Sequence, residues 1–235
     1  MSKIYTKISK KINRIIGHKF TCPICTTTAP FDTYGIKPRK NALCYHCNSL
    51  ERHRFFYLFL ENQNLLCNRK AKILHIAPES NLTKIFKNNW KENYVTGDLY
   101  DKNVDLKIDI TKINQEDESF DHVFCNHVLE HVENDALALQ EMFRILKKGG
   151  SALITVPIIQ KTTYENPSIT SKEERLKTFG QSDHVRNYGI DIIERMKAAN
   201  FTVETIYPSS FLSAEQIINN ALPRDATGEI FLCKK

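Results

Sequence analysis

Apolar and polar positions change their rhythm several times along the 235 residues. Over residues 1–17, Ile4, Ile8, Ile12, Ile15 and Ile16 recur at three- and four-residue spacing, with Lys3, Lys7, Lys10, Lys11 and Arg14 between them. That period predicts a basic amphipathic helix stopped by Gly17. Its isoleucine stripe either docks on the body of the protein or anchors to an anionic membrane surface or a nucleic acid. Residues 20–50 show little periodicity and hold too little apolar area to order themselves. Residues 50–66 then predict a well-buried helix, dense in Leu50, Phe55, Phe56, Leu58, Phe59, Leu60, Leu65 and Leu66, and Asn68 to Lys70 break the pattern.

From Ala71 onward short apolar runs alternate with stretches of helical spacing. Strands are expected at Ile73–Ile76, Tyr94–Gly97, His122–Cys125 and Ala152–Val156, and helices at Leu82–Trp90 and Asn134–Leu146. Strand–helix alternation at this pitch implies an α/β fold with a parallel, doubly wound sheet. Thr202–Tyr207 and Glu229–Cys233 lack a crossover unit between them and are expected to pair as an antiparallel edge. The chain therefore divides into a basic helix (1–19), a cysteine-bearing segment with its helix (20–70) and an α/β domain (71–235).

Composition is that of a globular protein, with 41% hydrophobic and 26% charged residues, which excludes a disordered, collagenous or coiled-coil chain. With no membrane-length apolar run and no secretory pattern in the first twenty residues, a cytosolic protein is expected. The net charge of +6 is unevenly spread. Residues 1–70 carry thirteen Lys/Arg against three acids, and residues 71–235 carry twenty against twenty-four. Only the front segment has an electrostatic bias toward phosphates.

Seven cysteines in a cytosolic chain argue against a disulfide framework. Cys22-Pro-Ile-Cys25 and Cys44-Tyr-His-Cys47 are two C-x-x-C pairs separated by eighteen residues, a spacing that fits a four-cysteine zinc site. Such a site is closed to water, so its expected role is structural, giving a zinc-ribbon-like segment the stability it lacks. Just beyond it, Arg52, His53 and Arg54 open the apolar helix; they either form an exposed first turn or face the larger domain's cleft as substrate ligands.

In a doubly wound fold a nucleotide binds at the carboxyl end of the first strand. Here that strand runs into Ala77-Pro78-Glu79. The second strand ends in Asp98, about twenty residues on, as expected for a carboxylate that accepts from ribose hydroxyls. Further along come Ile108-Asp109-Ile110-Thr111, "SFDHVFCNHVLEHV" (119–132) and "FRILKKGGSALITVP" (143–157).

This ordered series resembles the class I S-adenosylmethionine-dependent methyltransferases over residues 71–235. With the cysteine pairs, "SLERHR" and "FGQSDHVRNYG", it looks like a bacterial and viral subfamily often associated with surface-glycan synthesis. The resemblance implies a Rossmann-like, mainly parallel seven-stranded sheet, with S-adenosylmethionine held by His75, Ala77, Pro78, Glu79, Asp98, Leu99, Asp109, Ile110, Asn126 and His127. Asp98 is placed on the ribose, Asp109 and Ile110 beside the adenine, and Asn126 and His127 along the methionine half. Gly149-Gly150 is expected to turn into the fifth strand. One departure stands out: His75 replaces the family's acidic residue, and Ala77, Glu79 and Asn81 stand where glycines are usual. Glu79 either pairs with the cofactor's ammonium or obstructs the loop.

Methyl transfer to a hydroxyl is an in-line displacement that needs positioning and a general base. Histidine suits the base near neutral pH. The candidates are His131, in the Glu130-His131 pair that the family places over the methyl group, and His184, beside Asp183 in a long polar insertion (160–188). Arg186 in the same insertion is a candidate for an anionic acceptor. The expected function is O-methylation of a sugar or other small hydroxyl acceptor. Two readings stand against it: an RNA methyltransferase gripping phosphates with its basic front, which the acidic α/β domain disfavours, and an inactive zinc-dependent interaction protein.

Overall fold

The computed structural model describes residues 17–35, 37–223 and 227–235, so the expected helix over residues 1–17 lies almost wholly outside the described residues. The chain forms two compact units. No helix among the described residues is long and apolar enough to cross a membrane.

The smaller unit combines the described part of Met1–Cys67 with Ser80–Ile85 and Tyr207–Thr227. It contains two antiparallel hairpins, β1 (Phe20–Thr21) with β2 (Thr28–Ala29) and β3 (Asp32–Tyr34) with β4 (Arg39–Leu43), and helix α1 (Glu51–Asn62). Helix α1 buries Phe55, Phe56, Phe59 and Leu60, and Phe55 stacks on Phe211 at 6.0 Å between ring centroids. This dense apolar face explains why the stretch is helical despite a start without a Ser, Thr, Asp or Asn cap. His53 supplies the cap instead, its Nδ1 accepting from the Leu50 amide at 3.2 Å.

The larger unit holds a seven-stranded sheet. It begins with β5 (Ile73–Ile76), crosses through α2 (Ser80–Trp90) to β6 (Tyr94–Asp98) and continues to β7 (Leu106–Lys107). It then runs through β8 (Phe120–Asn126), α3 (Asp135–Ile145) and β9 (Leu146–Thr155). A small side sheet follows, of β10 (Ile158–Gln160), β11 (Tyr164–Glu165) and β12 (Arg186–Gly189), with helix α4 (Lys172–Phe179) between β11 and β12. Helix α5 (Ile192–Ala198) leads to β13 (Thr202–Ile206); a second helix of the smaller unit, α6 (Ala214–Asn219), precedes the last strand, β14 (Ile230–Lys234).

The strand order is β13-β14-β9-β8-β5-β6-β7. The pairs β9–β8, β8–β5, β5–β6 and β6–β7 are parallel, while β14 runs antiparallel to both neighbours. The antiparallel edge is the one expected from the late strands. All four residues of β5 are buried, as a central parallel strand covered on both faces requires. Helix α3 is capped by Asn134, whose side chain accepts from the Leu137 amide at 3.1 Å. It buries Ala138, Leu139, Met142 and Ile145, one stripe at helical spacing. On β5, β6, β8 and α2, His75, Tyr94, Phe124, Phe86 and Trp90 form an aromatic cluster with centroids 5.3–6.3 Å apart.

Gly149 and Gly150 do not form a turn ahead of the fifth long strand: β9 runs through them from Leu146 to Thr155. Between the pairs Phe120–Leu146 and His122–Ser151, β9 advances five residues to the two of β8, so three extra residues are accommodated at the glycines. Gly149 supplies the positive φ of +76°. A Cβ on Gly150 would lie 2.8 Å from the Asp121 carbonyl oxygen and 2.9 Å from that of Lys147. The two glycines let an irregular strand stay in the sheet. Gly150→Ala is therefore expected to lower the unfolding free energy by about 1–3 kcal/mol, measured by urea denaturation.

Candidate active site

Five parallel strands of the larger unit deliver their carboxyl ends, and the loops that follow them, to one edge of the sheet, and most of the predicted cofactor residues lie there. After β5 the chain turns through Ala77, whose φ is +48° and whose amide donates to the Gly97 carbonyl at 2.8 Å. Alanine rarely adopts this left-handed conformation, the one a glycine takes without cost. The backbone here keeps the shape expected of a glycine loop although the residue has changed.

Behind that turn lies a polar chain. His75 is fully buried, with Nδ1 2.6 Å from the Tyr94 hydroxyl and Nε2 2.9 Å from Glu79 Oε2. With a carboxylate at Nε2, the ring donates there and accepts the Tyr94 O–H at Nδ1. Glu79 Oε2 also receives the Asn126 side-chain amide at 3.5 Å, and Asn126 Oδ1 accepts from Thr155 Oγ1 at 3.1 Å. The imidazole is sealed inside the aromatic cluster, so His75 cannot touch a ligand as the sequence suggested. It orients Glu79, whose side chain keeps 17% exposure. Tyr94 and Thr155 are additions to the expected set. Tyr94 sits diagonally across the β5–β6 pair from His75, and Thr155 lies directly opposite Asn126 in the β8–β9 register.

Asp98, at the end of β6, accepts the Tyr100 and Asp101 amides on Oδ1 at 2.6 and 2.8 Å. Its Oδ2 makes no hydrogen bond among the described residues. Leu99 next to it is exposed. Asp109 accepts from the Thr111 hydroxyl and amide, and these bonds hold its carboxyl below the usual range. Ile110 is buried beside it. Pro78 is half-buried between Ala77 and Glu79.

After β8, His127 adopts φ +53°, and a short 3-10 turn carries Leu129–His131. Glu130 is 1% exposed. Its Oε1 lies 3.2 Å from His127 Nδ1, while its Oε2 is buried with no hydrogen-bond partner among the described residues. Burial pushes this carboxyl upward, but the bond from His127 and the nearby imidazoles outweigh it and leave it below the usual range. His131 Nδ1 lies 3.3 Å from Asp183 Oδ2. The ring of His184 stands nearly perpendicular to that of His131, 4.7 Å away, and burial pulls the His184 pKa down. The four predicted catalytic residues thus form one cluster in the larger unit.

Arg186 belongs to the scaffold of that cluster. Its side chain is 4% exposed. Nε donates to Glu165 at 2.8 Å, and the terminal nitrogens donate to the carbonyls of Leu129, Val132 and Glu133. The Val185 amide donates to the Glu130 carbonyl at 2.9 Å. Instead of an anionic acceptor, Arg186 grips the turn that bears Glu130 and His131. Arg54 in the smaller unit is a correction of the same kind. It is fully buried, and it donates to the carbonyls of Ala42, Ser49, Asn220 and Ala221. Its guanidinium is used up in holding that unit together. Arg52 is half-buried in the first turn of α1, and His53 Nδ1 also meets Asn81 Nδ2 at 2.5 Å.

The four cysteines of the smaller unit converge. Their sulfurs lie within 4.8 Å of one another, with Cys22–Cys47 at 3.6 Å and Cys25–Cys44 at 3.7 Å. A tetrahedral ion with bonds of about 2.3 Å needs sulfurs about 3.8 Å apart, whereas a disulfide needs about 2.05 Å. The two knuckles repeat one geometry. Cys22 N donates to Thr27 O and Thr26 N to Cys22 O; Cys44 N donates to Ser49 O and Asn48 N to Cys44 O. Thr26 and Asn48 both take φ +59°. Hydrogen bonds from Cys44 and Cys47 hold the Cys22 thiol far below its ordinary value. The cluster is compatible with a zinc ion.

Residues 62–154 match the family model described as a methyltransferase domain. None of the curated proteins matches the sequence. Among solved structures, the chain is similar to the YcgJ protein of Bacillus subtilis, at TM-score 0.50 and 16% identity over 78% of this chain and 99% of that one. It is also similar to a SAM-dependent methyltransferase from Thermotoga maritima, at TM-score 0.47 and 18% identity over 82% and 100% of the two chains.

Removing the fork of Arg186 takes the donor from the Val132 and Glu133 carbonyls, while Glu165 keeps Arg195 and the Leu129 carbonyl keeps the Val132 amide. Arg186→Ala is therefore expected to cost about 3 kcal/mol of stability, read from the shift in denaturation midpoint. The chain thus carries, over residues 62–154, a stretch similar to a methyltransferase domain, set on a seven-stranded, mainly parallel Rossmann-like sheet.

Proposed function

We propose that the protein transfers the methyl group of S-adenosylmethionine to a hydroxyl of a sugar or another small acceptor. The observation that carries this reading is the buried Glu130 carboxylate grouped with His131, Asp183 and His184 beyond the end of β8. Bound S-adenosylmethionine supplies an electrophilic methyl on a sulfonium, whose sulfur keeps the bonding pair when the methyl leaves.

The residues at the strand ends fit that cofactor. The uncommitted Oδ2 of Asp98 suits the ribose hydroxyls, and Asp109 and Ile110 suit the adenine. Glu79, drawn toward His75 and Asn126 rather than across the loop, offers a carboxylate to the ammonium of the methionine end. The small side chain of Ala77 lets the backbone approach closely. Asn126 and His127 flank the same end.

For the acceptor, an ordinary hydroxyl must lose its proton as it attacks, whereas an amine attacks through a lone pair once neutral. A carboxylate–histidine group is the equipment for the first task. The acceptor oxygen forms its bond to the methyl carbon while its proton passes to this cluster, with His131 as the base and Asp183 holding its far nitrogen. The four cysteines hold a structural zinc that orders the smaller unit and takes no part in transfer.

Calorimetry with S-adenosylhomocysteine tests the cofactor site: Asp98→Ala is expected to weaken binding at least tenfold, and unchanged affinity would refute the ribose placement. His131→Ala is expected to lower turnover by about 10²–10⁴ with S-adenosylhomocysteine affinity retained. Chelation is expected to lower the melting temperature, with protease cleavage appearing first in residues 17–67; an unmoved melting curve would count against the structural ion.

A further inference from the structure

The group beyond β8 has the composition and spacing of a second metal site. Glu130, His131 and His184 each offer one donor atom, and the three atoms lie within 4.8 Å of one another. Three ligands bound at about 2.0–2.2 Å sit roughly 3–3.8 Å apart around an ion, so side-chain shifts of about an ångström or less bring all three into a first coordination sphere.

Two further observations point to a cation. Glu130 is 1% exposed, yet its Oε2 has no hydrogen-bond partner among the described residues. A buried carboxylate oxygen left unpaired is costly, and a bound cation removes that cost. The surroundings also have the form of an outer ligand shell. His127 Nδ1 holds Glu130 Oε1 at 3.2 Å. Asp183 Oδ2 holds His131 Nδ1 at 3.3 Å, which leaves Nε2 to ligate an ion. Carboxylate–histidine–metal relays fix ligand orientation in this way.

We propose that Glu130, His131 and His184 bind one divalent cation as a two-histidine, one-carboxylate site, separate from the four-cysteine cluster. Two imidazoles select a zinc- or manganese-type ion over magnesium or calcium, which prefer all-oxygen shells. Three protein ligands leave positions open, and one of them takes the acceptor's hydroxyl oxygen. This deepens the methyl-transfer reading and rests on it. Coordination acidifies the hydroxyl, its proton leaves to solvent past the exposed Asp183, and the coordinated oxygen attacks the methyl carbon as the carbon–sulfur pair returns to sulfur. His131 then acts as a ligand and not as the free base.

The test is zinc stoichiometry on the full chain, equilibrated with micromolar Zn2+, freed of unbound ion and analysed for metal. Two zinc ions per chain are expected for the wild type. One is expected for Glu130→Gln and for His184→Ala, and one for Cys44→Ser, whose loss falls on the other cluster. One zinc in the wild type, or two in both Glu130→Gln and His184→Ala, overturns the site. S-adenosylhomocysteine calorimetry on the same samples reports folding and tests the methyl-transfer reading separately. Two zinc ions with no S-adenosylhomocysteine binding would sink the transfer reading but leave the ion site standing. Binding with a single zinc would remove the ion site and leave the imidazole base.

Discussion

A parallel sheet covered on both faces leaves its central strands one place to meet solvent, the ends from which their carboxyl termini emerge. In this chain β5 and β8 bury Ile73, Leu74, Ile76, Phe120, Val123 and Phe124, and Glu79, Asp98 and Asn126 stand at or just beyond the ends of β5, β6 and β8. The strand order reverses between β8 and β5, the place at which doubly wound sheets bind their ligands.

Within this constraint the loop after β5 solves a problem that glycines usually solve. Ala77 takes the left-handed conformation itself, with its amide tied to Gly97. The larger Glu79 is restrained by a buried imidazole. His75 exchanges hydrogen bonds with Tyr94 on one side and Glu79 on the other, and the aromatic rings of Phe86 and Phe124 keep water away. A histidine in a strand centre is costly unless both nitrogens are engaged, and here both are. The departure from the usual loop therefore comes with its own compensation.

Much of this was readable before any coordinates. Strand ends follow from apolar runs, and the paired cysteines follow from spacing. Asp98 is singled out by its place after a predicted strand, and the Glu130-His131 pair by the resemblance to the methyltransferases. The partners of His75 were not readable, because Tyr94 becomes its neighbour only through the register of β5 against β6. Arg54 and Arg186 were misread for a related reason. An arginine in a polar stretch looks solvated or poised for a ligand, and only the folded chain reveals the carbonyls that converge on it. Gly149-Gly150 was read as a turn because two glycines mark one in most sequences, while extra residues inside a strand use the same freedom.

The lacing of β12 to the turn after β8 has a consequence for how such an enzyme changes over time. On the methyl-transfer reading, the segment from Gln160 to Tyr188 is where acceptor preference would be written. Through Val185 and Arg186 that same segment holds Glu130 and His131 in place. Grafting a foreign insertion onto this core would thus disturb reactivity along with selectivity, and lineages that diversify their acceptors are constrained to vary the middle of the insertion while keeping its final anchor.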